Sequence, residues 1–202
     1  MARRSDHSRA ELAQLVLQAA RSIVLEEGAR AVTMRGIATR IGYAPGSIYN
    51  AVGDIESVLL RINAATLGLL ADRLASAVAC HGSRVDPIGN ALLITRHYLE
   101  FVAEHRQLWA AIIEHPPRPE TAVPDWYAAP RARLVEIAAD AVAPLFPEPA
   151  ARARTVAALW ASLQGIASLA AGGNLGFAGT PIDPQDIARS LTLRYLTGKE
   201  EW

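Results

Sequence analysis

The stretch TMRGIATRIGYAPGSIYN, which runs from Thr33 to Asn50, predicts two short helices separated by a sharp turn. Thr33 is a favoured residue for the N-terminal cap of the first helix, and Gly42 is a favoured residue just after its end. The second helix is predicted from about Ala44 to Tyr49. Pro45 suits its first turn, because that position has no intrahelical N–H bond to lose. Two short helices joined by such a turn match a helix-turn-helix. In that motif the second helix enters the major groove of DNA and the first lies across the backbone.

The side chains of this stretch suit contact with DNA. The free N–H groups after Thr33 can receive a phosphate, and Arg35 lies close behind for contact with a phosphate or a base. Gly46 and Ser47 are small, so the second helix can approach the base edges closely. The hydroxyl of Tyr49 suits phosphate oxygens. The residues predicted to contact DNA are Thr33, Arg35, Tyr43, Ala44, Pro45, Gly46, Ser47, Tyr49 and Asn50. The alternative is a helical hairpin inside a core, with Tyr49 as a half-buried aromatic residue.

The rest of the chain predicts further helices and no strand, so the fold class is all-α. Apolar residues recur at three- and four-residue steps between Ser8 and Leu25, and Ser8 with Glu11 has the spacing of a capping box. Asp54 begins a long fourth helix that ends near His81. The remaining helices are predicted over residues 86–105, 108–114, 126–143, 150–171 and 183–195, with a proline-rich loop at 116–124.

Composition limits the class of protein. The 202 residues are 51% hydrophobic and 20% charged, which is typical of a globular chain with a real core. The formal net charge is zero, although seven arginines and four acidic residues precede Asp54 and leave a weak positive excess at the front. The single cysteine, Cys80, excludes a disulfide framework within one chain. With no apolar secretory core and no transmembrane stretch, we expect a cytoplasmic protein.

Residues 28–59 resemble the DNA-binding segment of the TetR family of transcriptional regulators, and the resemblance is specific from about Leu12 to Leu60. The residues at that family's signature positions are Gly28, Thr33, Met34, Ile37, Ala38, Gly42, Gly46, Ile48, Tyr49 and Leu59. The resemblance implies a three-helix DNA-binding domain over residues 1–53. It also implies that a long fourth helix joins this domain to a helical ligand-binding and dimerisation domain over residues 54–202. An arm with Arg3 and Arg4 precedes the first helix, and such arms can enter a minor groove.

Two positions depart from that family's usual pattern. Val52 stands where an aromatic residue is common, which we interpret as a smaller core side chain. Ile55 stands where a lysine is usual at the start of the fourth helix. The change to Ile55 removes one expected phosphate contact, so it predicts slightly weaker operator binding and a weaker dependence on salt.

The segment ALWASLQGIASLA, residues 158–170, resembles the Trp-x-x-x-His-Gly signature of one class of C-terminal domains in the same family. Trp160 and Gly165 match, but Gln164 stands where histidine is usual. The resemblance implies that this helix and the last one form a four-helix interface between two copies of the chain. A two-fold dimer would place two recognition helices about 34–36 Å apart, on the half-sites of a palindrome.

A ligand site is expected among the middle helices, where aromatic and apolar residues accompany a few polar ones. The predicted ligand-binding residues are Tyr98, Phe101, Trp109, Ile113, Trp126, Tyr127, Trp160 and Gln164. For each of them the alternative is an ordinary core position. The partners implied are a double-stranded DNA operator, a small apolar effector and a second copy of the chain. The resulting hypothesis is a repressor that the effector releases from a palindromic operator. The alternative is a helical small-molecule-binding dimer that no longer binds DNA.

No feature of the sequence favours an enzyme, a metal site or a cofactor. A P-loop, a GxSxG motif and a strand followed by a dinucleotide-binding glycine pattern are all absent. The histidines at 81, 97, 105 and 115 include no pair at the three- or four-residue spacing that one helix would need to bind a metal. We therefore expect these histidines to be surface or capping residues.

Overall fold

The computed structural model describes residues 7–80, 86–118, 122–176 and 181–198. Within these ranges the chain forms nine α-helices and one short 3-10 helix, Ala29–Ala31, with no strand, which confirms the all-α class. Arg3, Arg4 and His81 lie outside the described residues. The α-helices are α1 Arg9–Glu27, α2 Met34–Ile41, α3 Pro45–Val52, α4 Ile55–Cys80, α5 Pro87–Glu104, α6 Arg106–Glu114, α7 Asp125–Val142, α8 Pro149–Ala171 and α9 Pro184–Thr197.

The helix boundaries follow from local capping chemistry. Ser8 and Glu11 form a capping box, in which the Ser8 hydroxyl accepts from the Glu11 N–H and the Glu11 carboxylate accepts from the Ser8 N–H. Asp54 and Asp86 cap the helices that follow them through their carboxylates. Helix α3 continues three residues beyond its expected end at Tyr49. It stops at Gly53, whose φ of 83° other residues rarely adopt.

The chain divides into two compact units. The first unit comprises residues 1–66 and 107–128, and the second comprises residues 67–106 and 129–202. Helix α4 therefore contributes to both, and α6 belongs to the first unit although it follows α5. The functional boundary expected between residues 53 and 54 falls at the junction of α3 and α4, and it stays a prediction.

The first unit is built on the mutual packing of α1, α2 and α3. Its innermost side chains come from all of these helices and from α4 and α6: Val16, Ala20, Val24, Ile37, Ile48, Val58 and Leu108. Val52 is buried in the same core, as expected for a smaller side chain at that position. Because α2 and α3 turn these side chains inward, the opposite sides of both helices lie in solvent.

A buried asparagine joins two helices of the first unit. The Nδ2 atom of Asn63 on α4 donates to the carbonyl oxygens of Ala111, at 3.3 Å, and His115, at 3.1 Å. Asn63 is fully buried, and its two acceptors lie in the last turn of α6 and directly after it. Asn63 therefore fastens the end of α6 to α4.

We expect Asn63→Ala to lower the free energy of unfolding by about 1–3 kcal/mol, because it removes a buried donor and leaves carbonyl groups without it. Urea denaturation at one fixed protein concentration measures this loss. Asn50→Ala, the same change at an exposed site on α3, is the matched control and should stay within about 0.5 kcal/mol of wild type. Equal effects of the two substitutions would contradict the structural role of Asn63.

The second unit is built on the packing of α5 against α8 and α9. One of its buried clusters contains Ala91, Val142, Val156 and Leu196. Between α5 and α9 the buried hydroxyls of Thr95 and Thr192 lie 3.0 Å apart and hydrogen bond to each other. Among the described residues, no helix is both long enough and apolar enough to cross a membrane.

Candidate nucleic-acid interface and effector site

The turn between α2 and α3 has the geometry that the sequence predicts. The Thr33 hydroxyl accepts from the Gly36 N–H at 3.0 Å and caps α2. Gly42 ends the helix in the left-handed conformation, with φ 73° and ψ 28°, and its N–H donates to the Ala38 carbonyl. Only glycine adopts this conformation without steric cost. Pro45 occupies the first turn of α3, as expected.

Helix α3 presents two different sides. Ile48 and Val52 are buried in the core of the first unit. The predicted DNA-contacting residues of the turn and α3 are exposed or half-buried, and Tyr49 is 52% exposed. The core position is thus taken by Ile48, while Tyr49 and Asn50 are available on the solvent side. The exposed set of the turn and α3 comprises Ala44, Pro45, Gly46, Tyr49 and Asn50, with Tyr43 and Ser47 half-buried.

The two arginines of α2 have different surroundings. Arg40 forms two hydrogen bonds with the Glu26 carboxylate of α1, at 3.1 and 2.5 Å. This pairing lowers the pKa of Glu26 and raises the pKa of Arg40. Arg35 is exposed and makes no ion pair with any residue in the described part of the chain. Arg35 therefore keeps its charge available for a polyanion, whereas the charge of Arg40 is already neutralised.

The start of α4 carries the departure noted in the sequence. Ile55 is half-buried and packs against the core of the first unit. An apolar side chain at this position adds contact area to the core and offers no charge to a phosphate. The reduced contribution of this helix end to DNA binding stays a prediction.

The structure brings together two of the predicted ligand-binding residues of the second unit. The Tyr98 hydroxyl of α5 donates to Oε1 of Gln164 on α8 at 2.8 Å, and Gln164 Nε2 donates to the Ser168 hydroxyl at 3.2 Å. Burial raises the pKa of the Tyr98 phenol, so Tyr98 stays a neutral donor. Phe101, one turn along α5, is buried, and its ring lies 4.4 Å from that of His105. Tyr98, Gln164 and Ser168 thus form a polar chain from α5 to α8.

The other predicted ligand-binding residues lie in different places. Trp160 is in the second unit but is 55% exposed in the single chain. Four of the residues belong to the first unit. There Trp109 and Tyr127 are buried, Ile113 and Trp126 are exposed, and the Trp126 indole lies under the Arg61 guanidinium at 4.9 Å. Their role in binding a ligand is not tested by this placement and stays a prediction.

A groove between α4 and α5 was not anticipated from the sequence. It has a volume of about 520 Å³ and is lined by Arg73, Ser76, Ala77, Cys80, Leu93 and His97. Arg73, one of these lining residues, forms ion pairs with Glu100 at 3.0 Å and with Glu104 at 2.5 Å. The lining residues of α4 recur at steps of three and four. Such steps are typical of any helix face, so this signal does not distinguish a groove from a core.

One side of α8 is exposed in the single chain and consists of small and apolar residues. The exposed residues at steps of three and four are Ala157, Trp160, Ala161, Gly165, Ser168 and Leu169. On α9 the Tyr195 side chain is 45% exposed. A stripe with a large aromatic group beside small residues allows another helix to approach closely. Within the described residues, no group of three or more His, Cys, Asp and Glu side chains is placed to hold a metal ion.

Comparison with known proteins supports the two halves of the chain separately. Residues 16–62 match the family model described as bacterial regulatory proteins of the tetR family. Residues 91–195, just over half of the chain, match the model of the tetracyclin repressor-like C-terminal domain. No curated protein sequence matches the chain. The Trp-x-x-x-His-Gly class of C-terminal domain remains a prediction.

Solved structures share the fold at low sequence identity. A protein of unknown function from Rhodococcus sp. RHA1 is 19% identical, with a TM-score of 0.76 and 98% of each chain covered. FadR from Bacillus subtilis, in complex with stearoyl-CoA, is 12% identical, with a TM-score of 0.69 over 92% of this chain and 98% of that one. AibR, in complex with isovaleryl coenzyme A and operator DNA, is 18% identical, with a TM-score of 0.57 over 92% and 96%.

The two family models cover the helix-turn-helix and the helices of the second half, and the families they describe are regulators rather than enzymes. The capped turn at Gly42 and the exposed side of α3 agree with that match. The chain therefore belongs to the TetR family of DNA-binding transcriptional regulators.

Proposed function

We propose that the protein is a cytoplasmic homodimeric repressor that binds a palindromic operator and is released by a small apolar molecule. In this proposal residues 1–53 bind DNA, and residues 54–202 bind the effector and the second copy. The observation that carries the DNA-binding half is the exposed side of α2 and α3, with Arg35 free of ion pairs among the described residues. An exposed, unpaired guanidinium beside exposed hydroxyl and amide groups suits phosphate and base contacts.

The effector half of the proposal rests on the second unit. Tyr98 and Gln164 carry polar groups, and the buried Phe101 follows Tyr98 by one turn of α5. A mostly apolar ligand with one polar end would suit such a set. FadR and AibR, which share the fold, are seen with acyl thioesters of coenzyme A. Acyl thioesters of coenzyme A are therefore the first compounds to test as effectors of this chain. A bound effector would favour a different tilt of α4, a long helix that contributes to both units, and so change the spacing of the two recognition helices.

The test is a fluorescence-anisotropy titration of the purified protein against operator sequences selected from a random library. We expect nanomolar to micromolar binding that exceeds binding to random DNA and weakens as salt rises. Failure to select any preferred sequence from a folded dimer would contradict the DNA-binding half. It would favour the second candidate, a small-molecule-binding dimer without DNA binding, which the apolar Ile55 at the start of α4 supports.

The effector and the operator should affect each other equally. If an effector raises the operator Kd by a given factor, operator DNA must raise the effector Kd by that same factor, because the coupling free energy is reciprocal. We expect a factor of about 5–150, from titrations of acyl thioesters and apolar aromatic compounds with and without DNA. Gln164→Ala should weaken effector binding about tenfold by removing a polar partner, whereas Gln14→Ala on the exposed side of α1 should not. Tight effector binding with no change in the operator Kd would contradict the release mechanism.

A further inference from the structure

His7, which lies just before α1, contacts the turn of the helix-turn-helix. The His7 ring precedes α1 and lies on the exposed surface of the first unit. Its Nδ1 atom is 2.6 Å from the Tyr43 hydroxyl, and the two ring centroids are 6.0 Å apart. Tyr43 is in the turn between α2 and α3, among the residues predicted to contact DNA. A hydrogen bond therefore joins Tyr43 to a residue 36 positions away in the sequence.

We propose that His7 is a further residue of the DNA-reading surface, and that its protonation strengthens operator binding by changing the hydrogen-bonding role of Tyr43. This rests on the proposed function, because it requires that the surface binds DNA. The proposal adds His7, which is not one of the family's signature positions, to the DNA-binding surface. It also predicts that operator affinity depends on pH.

The chemistry follows from the donor and acceptor inventory of the two groups. In a neutral imidazole with its proton on Nε2, Nδ1 accepts the Tyr43 hydroxyl proton, so that proton is not available to DNA. When a proton from solvent binds Nδ1, the ring donates to the Tyr43 oxygen instead. The phenol proton is then free to be donated to a phosphate oxygen. The protonated ring also carries a positive charge at the same surface, which favours a polyanion.

The sign of the pH dependence follows from linkage. DNA phosphates favour the charged form of His7, so the complex binds more protons than the free protein does. Operator affinity must therefore rise as pH falls through the range in which histidine side chains take up a proton, between about pH 5 and 8. The effect should be smaller at high salt, because screening weakens the attraction between exposed charges.

The groups that face His7 do not produce this dependence by themselves. Among the described residues these are the Tyr43 phenol and the Glu11 carboxylate on the first turn of α1. Hydrogen bonds from Ser8, and secondarily the nearby His7, lower the pKa of Glu11, so this carboxylate stays ionised over the relevant range. Among the described groups at this contact His7 is the histidine, the side-chain type whose charge usually changes between about pH 5 and 8.

The test compares operator affinity at pH 6 and pH 8, at constant ionic strength, for wild type, His7→Gln and Tyr43→Phe. We expect wild type to bind about tenfold more tightly at pH 6, through two copies of His7 in a dimer, each contributing a modest interaction between exposed charges. His7→Gln should reduce this ratio to near one, and Tyr43→Phe should reduce it in part. His105→Gln, a histidine of the second unit, is the matched control and should keep the wild-type ratio. Circular dichroism and thermal melts of each variant establish that the fold is retained.

A second measurement tests the pair without DNA. Long-range ¹⁵N–¹H spectra of the histidine rings should identify a His7 tautomer whose nitrogen signals and titration curve change in Tyr43→Phe. Unchanged His7 signals in that variant would overturn the pairing. A full pH ratio in His7→Gln would overturn the role of His7 at the DNA surface. If wild type shows the pair by NMR but selects no operator at either pH, the proposed DNA-binding function is overturned and this proposal fails with it.

Discussion

Replacing Arg35 and Tyr49 together by alanine should reduce operator affinity by at least about 100-fold while leaving the fold intact. Both side chains are exposed and lie on the solvent side of α2 and α3, so their removal opens no cavity. Each contact of this kind contributes about 1–3 kcal/mol to binding, and a dimer contains two copies of each. Their combined removal leaves little more than nonspecific attraction to the DNA backbone.

The single variants distinguish the two roles. Arg35→Ala should weaken binding to all sequences, and it should lower the slope of log affinity against log salt by about one for each phosphate that is no longer neutralised. Tyr49→Phe removes only a hydroxyl, and should have a smaller effect on that slope. Fluorescence anisotropy at several salt concentrations provides both quantities. Arg131→Ala removes the same charge from an exposed site on α7 in the second unit, and is the control for net charge.

An outcome in which Arg35→Ala and Arg131→Ala weaken binding equally would show that only the total charge matters. It would remove the reason for placing α2 at the DNA backbone. Wild-type affinity in the double variant would place the DNA-binding surface elsewhere on the molecule. Both outcomes can be interpreted as effects on binding rather than on folding. The reason is that Ile37 and Ile48, which pack α2 and α3 into the core, are unchanged.

Ala161→Arg should convert the protein to a monomer and lower operator affinity by at least about 100-fold. Ala161 lies on the exposed side of α8 between Ala157 and Gly165, where the side chains are small enough for close approach of another helix. The exposed Trp160 and Leu169 flank the same stripe and give it the apolar area that an obligate interface needs. A long charged side chain in the centre of such a contact would be buried without a partner.

The variant should bind the operator more weakly because a monomer carries only one DNA-binding domain. A dimer engages its second half-site at the high effective concentration that the linkage provides, which strengthens binding by about 10²–10⁴-fold. Sedimentation velocity should report the monomer, and anisotropy should report the weakened binding. Ala132→Arg adds the same side chain to an exposed site on α7, and should leave both quantities unchanged.

The milder change Trp160→Ala keeps the test informative if Ala161→Arg does not fold. It should raise the dimer dissociation constant without introducing a buried charge, because it removes apolar area from the stripe. A dimer of wild-type affinity in both variants would place the interface outside α8. If a variant remained dimeric but bound DNA more weakly, α8 would affect DNA binding by a route other than dimer formation.

Local sequence signals were sufficient to predict most of the helix boundaries and the turn between α2 and α3. Ser8, Thr33, Gly42, Pro45 and Asp86 act through hydrogen bonds and dihedral angles within one turn of their own position, so their effect can be read from neighbouring residues. The end of α3 was predicted three residues too early, because the stop is set by Gly53 rather than by the aromatic Tyr49.

The candidate ligand residues show where such reasoning reaches its limit. Trp109 and Trp160 both lie on helices with apolar spacing, yet Trp109 is buried and Trp160 is 55% exposed in the single chain. A helical period identifies an apolar face, but the same face can meet the protein's own core, a ligand or a second copy. The pairing of Tyr98 with Gln164 joins residues 66 positions apart, and no local pattern specifies it.

The sequence by itself determined the all-α class and the capped helix-turn-helix, because these depend on interactions between residues a few positions apart. It also indicated the family, because the signature residues lie within one continuous segment. Only the tertiary structure decided that α6 belongs with α1–α3, fastened by the buried amide of Asn63. It also decided that Arg40 is neutralised by Glu26 while Arg35 is not, and that His7 lies beside Tyr43. These partnerships depend on which helix faces meet when the core closes, and that is set by the packing of the whole unit rather than by any short segment.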